Sequence, residues 1–300
     1  MLNPGGESSR RVEGLWWLLF WVSLAVFTVV LVLMAFSIVR ARRNADDTVD
    51  ESEPRWASRF IVTTGVVVPF LVLTGVFVVS LADVRALADD PTDNILTVKV
   101  TGHMWWWEAE YPNGAVTANE IHIPVGEPVR FELESADVIH SFWIPALGPK
   151  RDMIPGQTNT LRLTADEPGR YRGLCAEFCG VQHARMGLYV VADRDYDSWV
   201  EHMAEPAELS ASAGQDLFTA GSCAGCHAIR GTDADAEVGP DLTHLASRET
   251  IGAASYDNTH ENLTRFVTNA QSMKPGAVMP PAELTADEVA QVVAYLETLQ

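Results

Sequence analysis

Two of the four cysteines stand in one short motif with a histidine. The stretch Cys223-Ala224-Gly225-Cys226-His227 is a C-x-x-C-H sequence, and this spacing is the attachment signature of a c-type haem. The thiols of Cys223 and Cys226 would bond covalently to the porphyrin, and His227 would ligate the iron. A redox or zinc-binding C-x-x-C with an incidental histidine is the alternative. Haem is favoured because the motif lies in a short helical region and no second pair of metal ligands follows it.

A c-type haem that transfers electrons at a raised potential usually takes a methionine as its sixth ligand. Met273 and Met279 are the two candidates in the same region. Met279 is preferred because Lys274-Pro275-Gly276-Ala277-Val278-Met279-Pro280 reads as a turn-rich loop, which can bring a thioether to the face of a haem. Either methionine may otherwise be an ordinary core side chain.

The other two cysteines belong to a second group of soft ligands. Cys175 and Cys179 are followed closely by His183 and Met186, and His140 lies further upstream. Thiolate, imidazole and thioether ligands suit copper, zinc or an iron–sulfur cluster. A disulfide between the two cysteines and a zinc site with two cysteines and two histidines are alternatives. Spacing and composition alone leave all of these open.

The residues around this second group read as an all-β domain. Short alternating or β-branched segments are separated by turn signals such as Tyr111-Pro112-Asn113-Gly114 and Glu167-Pro168-Gly169. This spacing predicts a β-sandwich or a small barrel. The predicted strands cover residues 95–100, 120–124, 129–133, 160–163 and 187–191.

The pattern becomes helical after residue 202. Residues 203–213 read as an Ala/Glu/Ser-rich linker, and helices are predicted at 210–219 and 285–299. The second of these opens with Thr285 and has Glu288 three residues later, which is the pattern of a capping box. The haem motif therefore belongs to a small all-α domain over residues 214–300.

Two uncharged apolar runs lie near the N-terminus, at residues 15–39 and 60–82. Each is long enough to cross a hydrocarbon core of about 30 Å. A cleaved signal peptide is the alternative for the first run, but the run exceeds a signal's apolar stretch and a second one follows. Pro69 is expected to kink the second span. The arginines between the spans place the connecting loop in the cytoplasm, and hence both termini and the metal-binding domains outside.

The net charge of −19 arises entirely after residue 82. An acidic ectodomain makes nucleic acid an unlikely partner and favours a basic protein.

Several of these motifs together resemble subunit II of the haem–copper cytochrome c oxidases. Residues 137–145 (DVIHSFWIP), 154–157 (IPGQ) and the string from Cys175 to Met186 are similar to the copper-binding segments of that family, and residues 102–112 are similar to its aromatic segment. The two N-terminal spans match its topology. Residues 214–299 resemble a class I cytochrome c, through the C-x-x-C-H motif, Gly239-Pro240-Asp241-Leu242 and Met279-Pro280.

The resemblance implies a fold and a set of ligands. A two-helix membrane segment with its flanks (1–92) would precede a cupredoxin domain (93–202), the linker (203–213) and a cytochrome c domain (214–300). Dinuclear copper A would be held by the following residues: His140, Cys175, Glu177 through its carbonyl, Cys179, His183 and Met186. The side chain of Glu177 would also ligate magnesium at the contact with subunit I. Haem c would be held by Cys223, Cys226, His227 and Met279.

The resemblance also implies a function. Trp105 matches the position through which the family admits electrons to copper A. The chain would be the electron-input subunit of a proton-pumping terminal oxidase in a bacterial cell membrane, with subunit I, other oxidase subunits and a cytochrome c or another respiratory complex as partners. Electrons would pass from haem c to copper A and on to haem a, where oxygen is reduced. A membrane-anchored copper-delivery protein is a rival, but it would not need a haem. A quinol oxidase subunit is disfavoured because it lacks the copper ligands.

Overall fold

A computed structural model describes residues 3–43, 55–87, 94–208 and 212–300. The chain divides into two compact units. One unit is Arg10–Ala88, and the other combines Met1–Ser9 with Asp89–Gln300. Residues 209–211 of the predicted linker lie outside the described residues.

The first unit consists of long apolar helices. Helix α1 spans Glu7–Arg43, α2 spans Arg55–Val62, and α3 spans Val68–Ala86. The two predicted spans fall within stretches that are long and apolar enough to cross a membrane, Glu7–Arg43 and Trp56–Ala86. A π-helical turn, Thr63–Val67, joins α2 to α3 and places Pro69 in the first turn of α3. A proline is tolerated in the first turn of a helix because its missing N–H matters least there. The helix irregularity expected at Pro69 is the π-helical turn that directly precedes α3.

A β-sandwich forms the first part of the second unit. Its ten strands are β1 (Leu96–His103), β2 (Trp106–Glu110), β3 (Val116–Ala118), β4 (Glu120–Pro124), β5 (Pro128–Ser135), β6 (His140–Trp143), β7 (Arg151–Met153), β8 (Asn159–Thr164), β9 (Gly169–Cys175) and β10 (Gly187–Asp193). One sheet has the order β3-β2-β1-β5-β8 and the other β4-β10-β9-β6-β7. The predicted sandwich is confirmed, and each of the five predicted strands matches one of these within a few residues.

Alternating burial along the strands explains this arrangement. In β10 and β1, every second side chain is buried, as expected when one face of a sheet covers a core. Trp107, Phe131 and Phe142 are fully buried between the sheets. The ring of Phe142 lies 5.7 Å from that of Trp107 and 5.3 Å from that of Phe131. This aromatic cluster supports β6, the strand that opens with His140.

The segment before α1 also packs on the sandwich. The amide of Gly5 donates to the carbonyl of Ala146 at 2.7 Å, and the carbonyl of Gly5 accepts from the amide of Asp166 at 2.8 Å. A Cβ at Gly6 would lie 2.0 Å from the carbonyl oxygen of Thr164, so only glycine allows this approach. The N-terminal segment is therefore held against the β-sandwich.

The last part of the chain is mainly helical. After α4 (Tyr196–His202) come α5 (Ala213–Ala220), the hairpin β11 (Thr250–Ile251) and β12 (Tyr256–Asp257), α6 (His260–Met273) and α7 (Ala286–Leu296). The capping box predicted at the start of α7 is confirmed. Helix α5 begins three residues later than predicted, since Ser212 caps it by accepting from the Gln215 amide. The helix α6 and the hairpin were not predicted.

Candidate metal centres

The two cysteines of the β-sandwich face each other beside a histidine. Cys175 ends β9, Cys179 follows in the next loop, and His140 begins β6. The two sulfurs lie 3.8 Å apart, and the Nδ1 atom of His140 lies 3.9 Å from the sulfur of Cys175. All three side chains are buried, and their ligand atoms lie within 4.8 Å of one another. The sandwich therefore brings a ligand from residue 140 to a pair of thiols 35 or more positions further along the chain.

The remaining candidate ligands surround the same sulfurs. Nδ1 of His183 and Sδ of Met186 each lie 3.7 Å from the sulfur of Cys179. The carbonyl oxygen of Glu177 lies 3.2 Å from the sulfur of Cys175. The structure thus brings together all six groups that the sequence singled out. It places one imidazole beside each thiol, an arrangement that suits two metal ions sharing two sulfurs.

Asp137 fixes the orientation of His140. Its carboxylate accepts from the amides of Met104 and Val138, each at 2.6 Å, and lies 2.8 Å from Nε2 of His140. Because a carboxylate only accepts, Nε2 carries a proton, and Nδ1 is the ring nitrogen that faces the thiols and can bind a metal once it gives up its own proton. The sequence analysis assigned no role to Asp137.

The thiols are polarised by their surroundings. Burial opposes ionisation of Cys175, but hydrogen bonds, first of all from His140, outweigh it and lower the pKa to about 6. Burial and the neighbouring Cys175 raise the pKa of Cys179 to about 12. Burial also opposes the charge on His140, yet Cys175 and Asp137 raise its pKa. One thiolate beside a protonated partner is a site ready to exchange protons for a soft metal ion.

A disulfide does not fit this geometry. A sulfur–sulfur separation of 3.8 Å is nearly twice a disulfide bond of about 2.05 Å, and all four cysteines are free. The presence of a thioether and a carbonyl beside the thiols and imidazoles also exceeds what a four-coordinate zinc site requires. Copper fits this donor set better, because thiolate, imidazole and thioether suit it.

The haem motif adopts a compact turn. Cys223–Gly225 form one 3₁₀ turn, and the amides of Cys226 and His227 both donate to the carbonyl of Cys223 at 3.0 Å. Nδ1 of His227 lies 2.8 Å from the carbonyl oxygen of Pro240, which leaves Nε2 free for a metal. A Cβ at Gly239 would lie 2.7 Å from Cε1 of the His227 ring. Burial lowers the pKa of His227, so the ring is kept neutral and able to ligate. These residues fit a covalently attached haem.

The two candidate sixth ligands differ in their surroundings. Met273 ends α6, is only 4% exposed, and packs within the protein. Met279 lies in the irregular loop between α6 and α7 and is half-buried. The loop thus leaves Met279 available for a haem face, whereas the buried position of Met273 is that of an ordinary core residue.

Trp105 lies next to the copper ligands. Its indole N–H donates to the carbonyl of Cys179 at 2.8 Å, and a Cβ at Gly180 would lie 2.9 Å from its ring. Glu177 is exposed on the same loop, beside Phe178, whose side chain is 76% exposed. Trp105 thus packs against this loop, and Glu177 is exposed to solvent.

Known proteins share both halves of this arrangement. The family profile "Cytochrome C oxidase subunit II, periplasmic domain" matches residues 115–193, and "Cytochrome c" matches residues 211–300. A cytochrome c oxidase subunit 2 of Alkalihalophilus pseudofirmus is 40% identical over 292 residues, covering 93% of this chain and 83% of that protein. The chain belongs to the cytochrome c oxidase subunit II family.

Another relative and a solved structure are also similar to this chain. Subunit 2 of Bacillus subtilis is 30% identical over 327 residues, covering 100% of this chain and 91% of that protein. The crystal structure of the periplasmic domain of subunit II of the Bradyrhizobium japonicum cytochrome oxidase is 35% identical, with a TM-score of 0.35, covering 38% of this chain and 95% of that one.

Membership of the family confirms the resemblance read from the motifs. The chain is a subunit of a haem–copper oxidase, which implies subunit I and further subunits as partners. The subunit II domain implies copper A, and the fused cytochrome c domain implies haem c. With two candidate membrane helices, the subunit is a membrane protein with an extracytoplasmic domain.

Three residues that contribute to these centres were missed by the sequence analysis. Asp137 stood within a recognised motif, but nothing in the spacing linked it to a histidine three residues later. Glu120 and Lys274 lie where the cupredoxin and cytochrome c domains touch, and each contacts residues more than 80 positions away. No local signal in the chain can reveal such pairs.

Proposed function

We propose that this subunit II receives electrons at haem c, passes them to dinuclear copper A, and delivers them to haem a of subunit I, where oxygen is reduced to water and protons are pumped. The observation that carries the proposal is the cluster of six ligand groups around two sulfurs 3.8 Å apart, in a chain that also holds a C-x-x-C-H turn. Two redox centres in one chain serve an electron carrier and are superfluous in a copper-delivery protein.

The proposed ligands follow from the geometry. Dinuclear copper would be held by Nδ1 of His140 and His183, by the sulfurs of Cys175, Cys179 and Met186, and by the carbonyl oxygen of Glu177. Copper A supplies a one-electron carrier whose charge is shared over two metals. The protein's part is to hold the ligands in a buried, preformed arrangement, so that little needs to move when the charge changes.

For haem c, the proposed ligands are the two cysteines of the motif, His227 and Met279. Pro240 orients the imidazole through Nδ1, and Gly239 leaves room for the ring. The half-buried loop position of Met279 supports it over the buried Met273.

Trp105 is proposed to lie on the electron route between the two centres. Its indole hydrogen bond to the carbonyl of Cys179 supports this role, because it joins the ring directly to a proposed copper ligand. Its own carbonyl accepts from Lys274 of the cytochrome c domain. In this chain, Trp105 would therefore receive electrons from the fused haem domain.

The exposed side of the copper loop is proposed to face subunit I. Phe178 is 76% exposed, and Ile139, next to His140, is 45% exposed. Large apolar side chains left in solvent beside a buried polar centre are typical of an interface. Glu177 lies in the same exposed stretch, which supports magnesium binding by its carboxylate together with ligands from subunit I.

The proposed topology places both termini and the metal domains outside the cell membrane, with the loop after α1 in the cytoplasm. Arg40, Arg42 and Arg43 at the end of α1 support it through the positive-inside rule. The packing of Gly5 against Ala146 supports it independently, because it puts the N-terminal segment on the same side as the cupredoxin domain.

The electron donor is proposed to be a basic cytochrome c or another respiratory complex that approaches the cytochrome c domain. The net charge of −19, carried by the ectodomain, supports attraction of a basic donor. Such attraction raises the association rate at low salt and weakens as salt screens it.

The test is an optical and electron-paramagnetic-resonance spectrum of the full-length subunit matured with haem and copper, together with Met279→Ala and Met273→Ala. We expect a low-spin haem and a mixed-valence dinuclear copper signal in the wild type. Met279→Ala should lose the low-spin haem spectrum while keeping the copper signal, and Met273→Ala should keep both. A haem spectrum without the dinuclear signal in copper-replete protein would refute the copper A assignment.

A further inference from the structure

The hairpin between β11 and β12 has an unusual backbone. Gly252, Ala253 and Ala254 all have positive φ, of 64°, 59° and 54°. Left-handed backbone is unfavourable for residues that carry a Cβ, and a run of such residues is rare. Ala253 and Ala254 are nonetheless almost fully buried. Something outside the hairpin must hold this conformation in place.

The carbonyls of these three residues all accept hydrogen bonds at the boundary between the cupredoxin and cytochrome c domains. The carbonyl of Ala253 accepts from the amide of Gly187 at 3.1 Å, and that of Ala254 accepts from Nη1 of Arg172 at 3.2 Å. The carbonyl of Gly252 accepts from Nζ of Lys274 at 3.0 Å. The left-handed turn thus directs consecutive acceptors toward β9 and β10 of the cupredoxin domain and toward one lysine.

Lys274 joins the domains at the copper loop. It is one of only three lysines in the chain, and it is 4% exposed. Besides Gly252, its ammonium donates to the carbonyl of Arg185 at 3.1 Å and to that of Trp105 at 3.4 Å. Arg185 directly precedes the proposed copper ligand Met186, and Trp105 contacts Cys179. The three hydrogens of the ammonium therefore join the haem domain to both sides of the copper site.

The contact is reciprocal. Nη1 of Arg185 donates to the carbonyl of Met273 at 2.7 Å, and Nε2 of Gln182 donates to the carbonyl of Pro275. A Cβ at Gly276 would lie 2.6 Å from the side chain of Val181. The loop that carries Met279 therefore lies directly against the loop that carries His183 and Met186.

A second contact holds the other end of the hairpin. The carboxylate of Glu120 is almost fully buried, and it accepts from the amide of Thr250 at 2.8 Å and from its hydroxyl at 2.6 Å. Arg170 pairs with both Glu120 and Glu249. The hairpin is thus held at its first strand by a buried carboxylate and at its turn by the lysine.

We propose that Lys274 and the hairpin 250–257 form an intramolecular docking element that fixes the haem domain on the copper loop, and that Lys274 is a positioning residue for electron transfer between the two centres. Because a linker alone would let the haem domain move, the separation of the centres is set by this element. The inference rests on the proposed electron route, but the docking itself can be measured without it.

The test compares Lys274→Met with the control Lys99→Met in the full-length subunit. Lys99 is a half-buried lysine of β1 that pairs with Glu110 at 2.8 Å and has no contact with the hairpin among the described residues. Hydrogen exchange is measured at Gly187 and Thr250, whose amides donate across the domain boundary. Lys274→Met should speed exchange at both by about tenfold or more, since a hydrogen bond to a charged group contributes at least that factor. Lys99→Met should leave both unchanged.

Global misfolding is separated from undocking by helix α7, whose amides should stay protected in Lys274→Met. A milder variant, Thr250→Val, removes the hydrogen bond that the Thr250 hydroxyl donates to Glu120. It should speed exchange at the same two amides to a smaller extent. In the matured protein, Lys274→Met should slow electron transfer from haem to copper without changing either spectrum. Unchanged exchange at Gly187 and Thr250 in both variants, or an unchanged transfer rate in an undocked Lys274→Met protein, would overturn the proposal. Loss of a cofactor signal in the wild type would instead contradict the proposed function.

Discussion

Replacing Asp137 with asparagine tests whether a partly buried carboxylate orients a copper ligand. The carboxylate accepts three hydrogen bonds, from the amides of Met104 and Val138 and from Nε2 of His140, at 2.6 to 2.8 Å. The asparagine side chain has the same size but only one acceptor oxygen. Its NH₂ group, which cannot accept, then faces at least one of these N–H donors. The remaining amide oxygen can still accept from Nε2 but carries no charge, so the proton is held on Nε2 less firmly and Nδ1 is less reliably free to bind metal.

The magnitude follows from the bonds that are lost. At least one charge-assisted hydrogen bond to the ligand disappears, which corresponds to about 1.5–3 kcal/mol. Loss of a carboxylate partner of a metal-binding histidine typically lowers metal affinity by about 10–100-fold. These two ranges agree, and we expect Asp137→Asn to weaken copper binding by a factor within them.

The assay is competition for copper between a chelator and the reduced full-length subunit, with the dinuclear spectrum recorded at saturation. Asp152→Asn is the matched control, because Asp152 accepts from the hydroxyl of Ser141, next to His140, at 2.8 Å but contacts no proposed ligand. If Asp137→Asn bound copper as tightly as the control and gave the same spectrum, the carboxylate would have no part in orienting His140.

Two further outcomes are expected. Gly239→Ala should impair haem attachment, because its Cβ would lie 2.7 Å from the ring of His227. Gly225→Ala, inside the haem motif, is the control: its Cβ would have no atom within 4 Å, so this variant should attach haem normally. Haem staining of both variants checks the prediction. Burial lowers the pKa of His122 to about 4, below its unfolded value of about 6.5. The unfolded state therefore binds more protons between these values, and stability should fall by up to about 3 kcal/mol as pH drops from about 6.5 to 4. His122→Phe, which keeps the stacking on Trp199, should flatten this dependence in denaturant unfolding.

The sequence predicted the elements whose periodicity is strong. Strand β4 coincides with its prediction, and the capping box of α7 is in place, because a Thr three residues before a Glu satisfies the helix N-terminus locally. The hairpin at 250–257 escaped prediction for the opposite reason. Its Ala253 and Ala254 adopt a left-handed backbone against their own preference, and their carbonyls bond to Gly187 and Arg172 of the cupredoxin domain, far away in the sequence.

Most of the proposed ligands could be named from the sequence because they lie in two short runs. Cys175 to Met186 and the C-x-x-C-H motif are local patterns, and the fold only has to curl them into a loop and a turn. His140 was a candidate by its residue type, but its role as a copper ligand came from the family resemblance, since nothing local ties it to Cys175. The structure adds the tertiary link: β6 pairs with β9 at Phe142 and Cys175, which brings the start of β6 to the end of β9.

Trp105, which matches the family's electron-entry position, also contacts the fused haem domain. Its indole N–H donates a hydrogen bond to the carbonyl of Cys179, and its own carbonyl accepts one from Lys274 of the haem domain. Lys274 is buried and donates to three carbonyls, one of them that of Trp105, so the Trp105 backbone is fixed at the boundary between the cupredoxin and haem domains. Because breaking such a contact is costly, we expect the fused haem to be the donor that reaches Trp105, and Lys274→Met should slow this transfer.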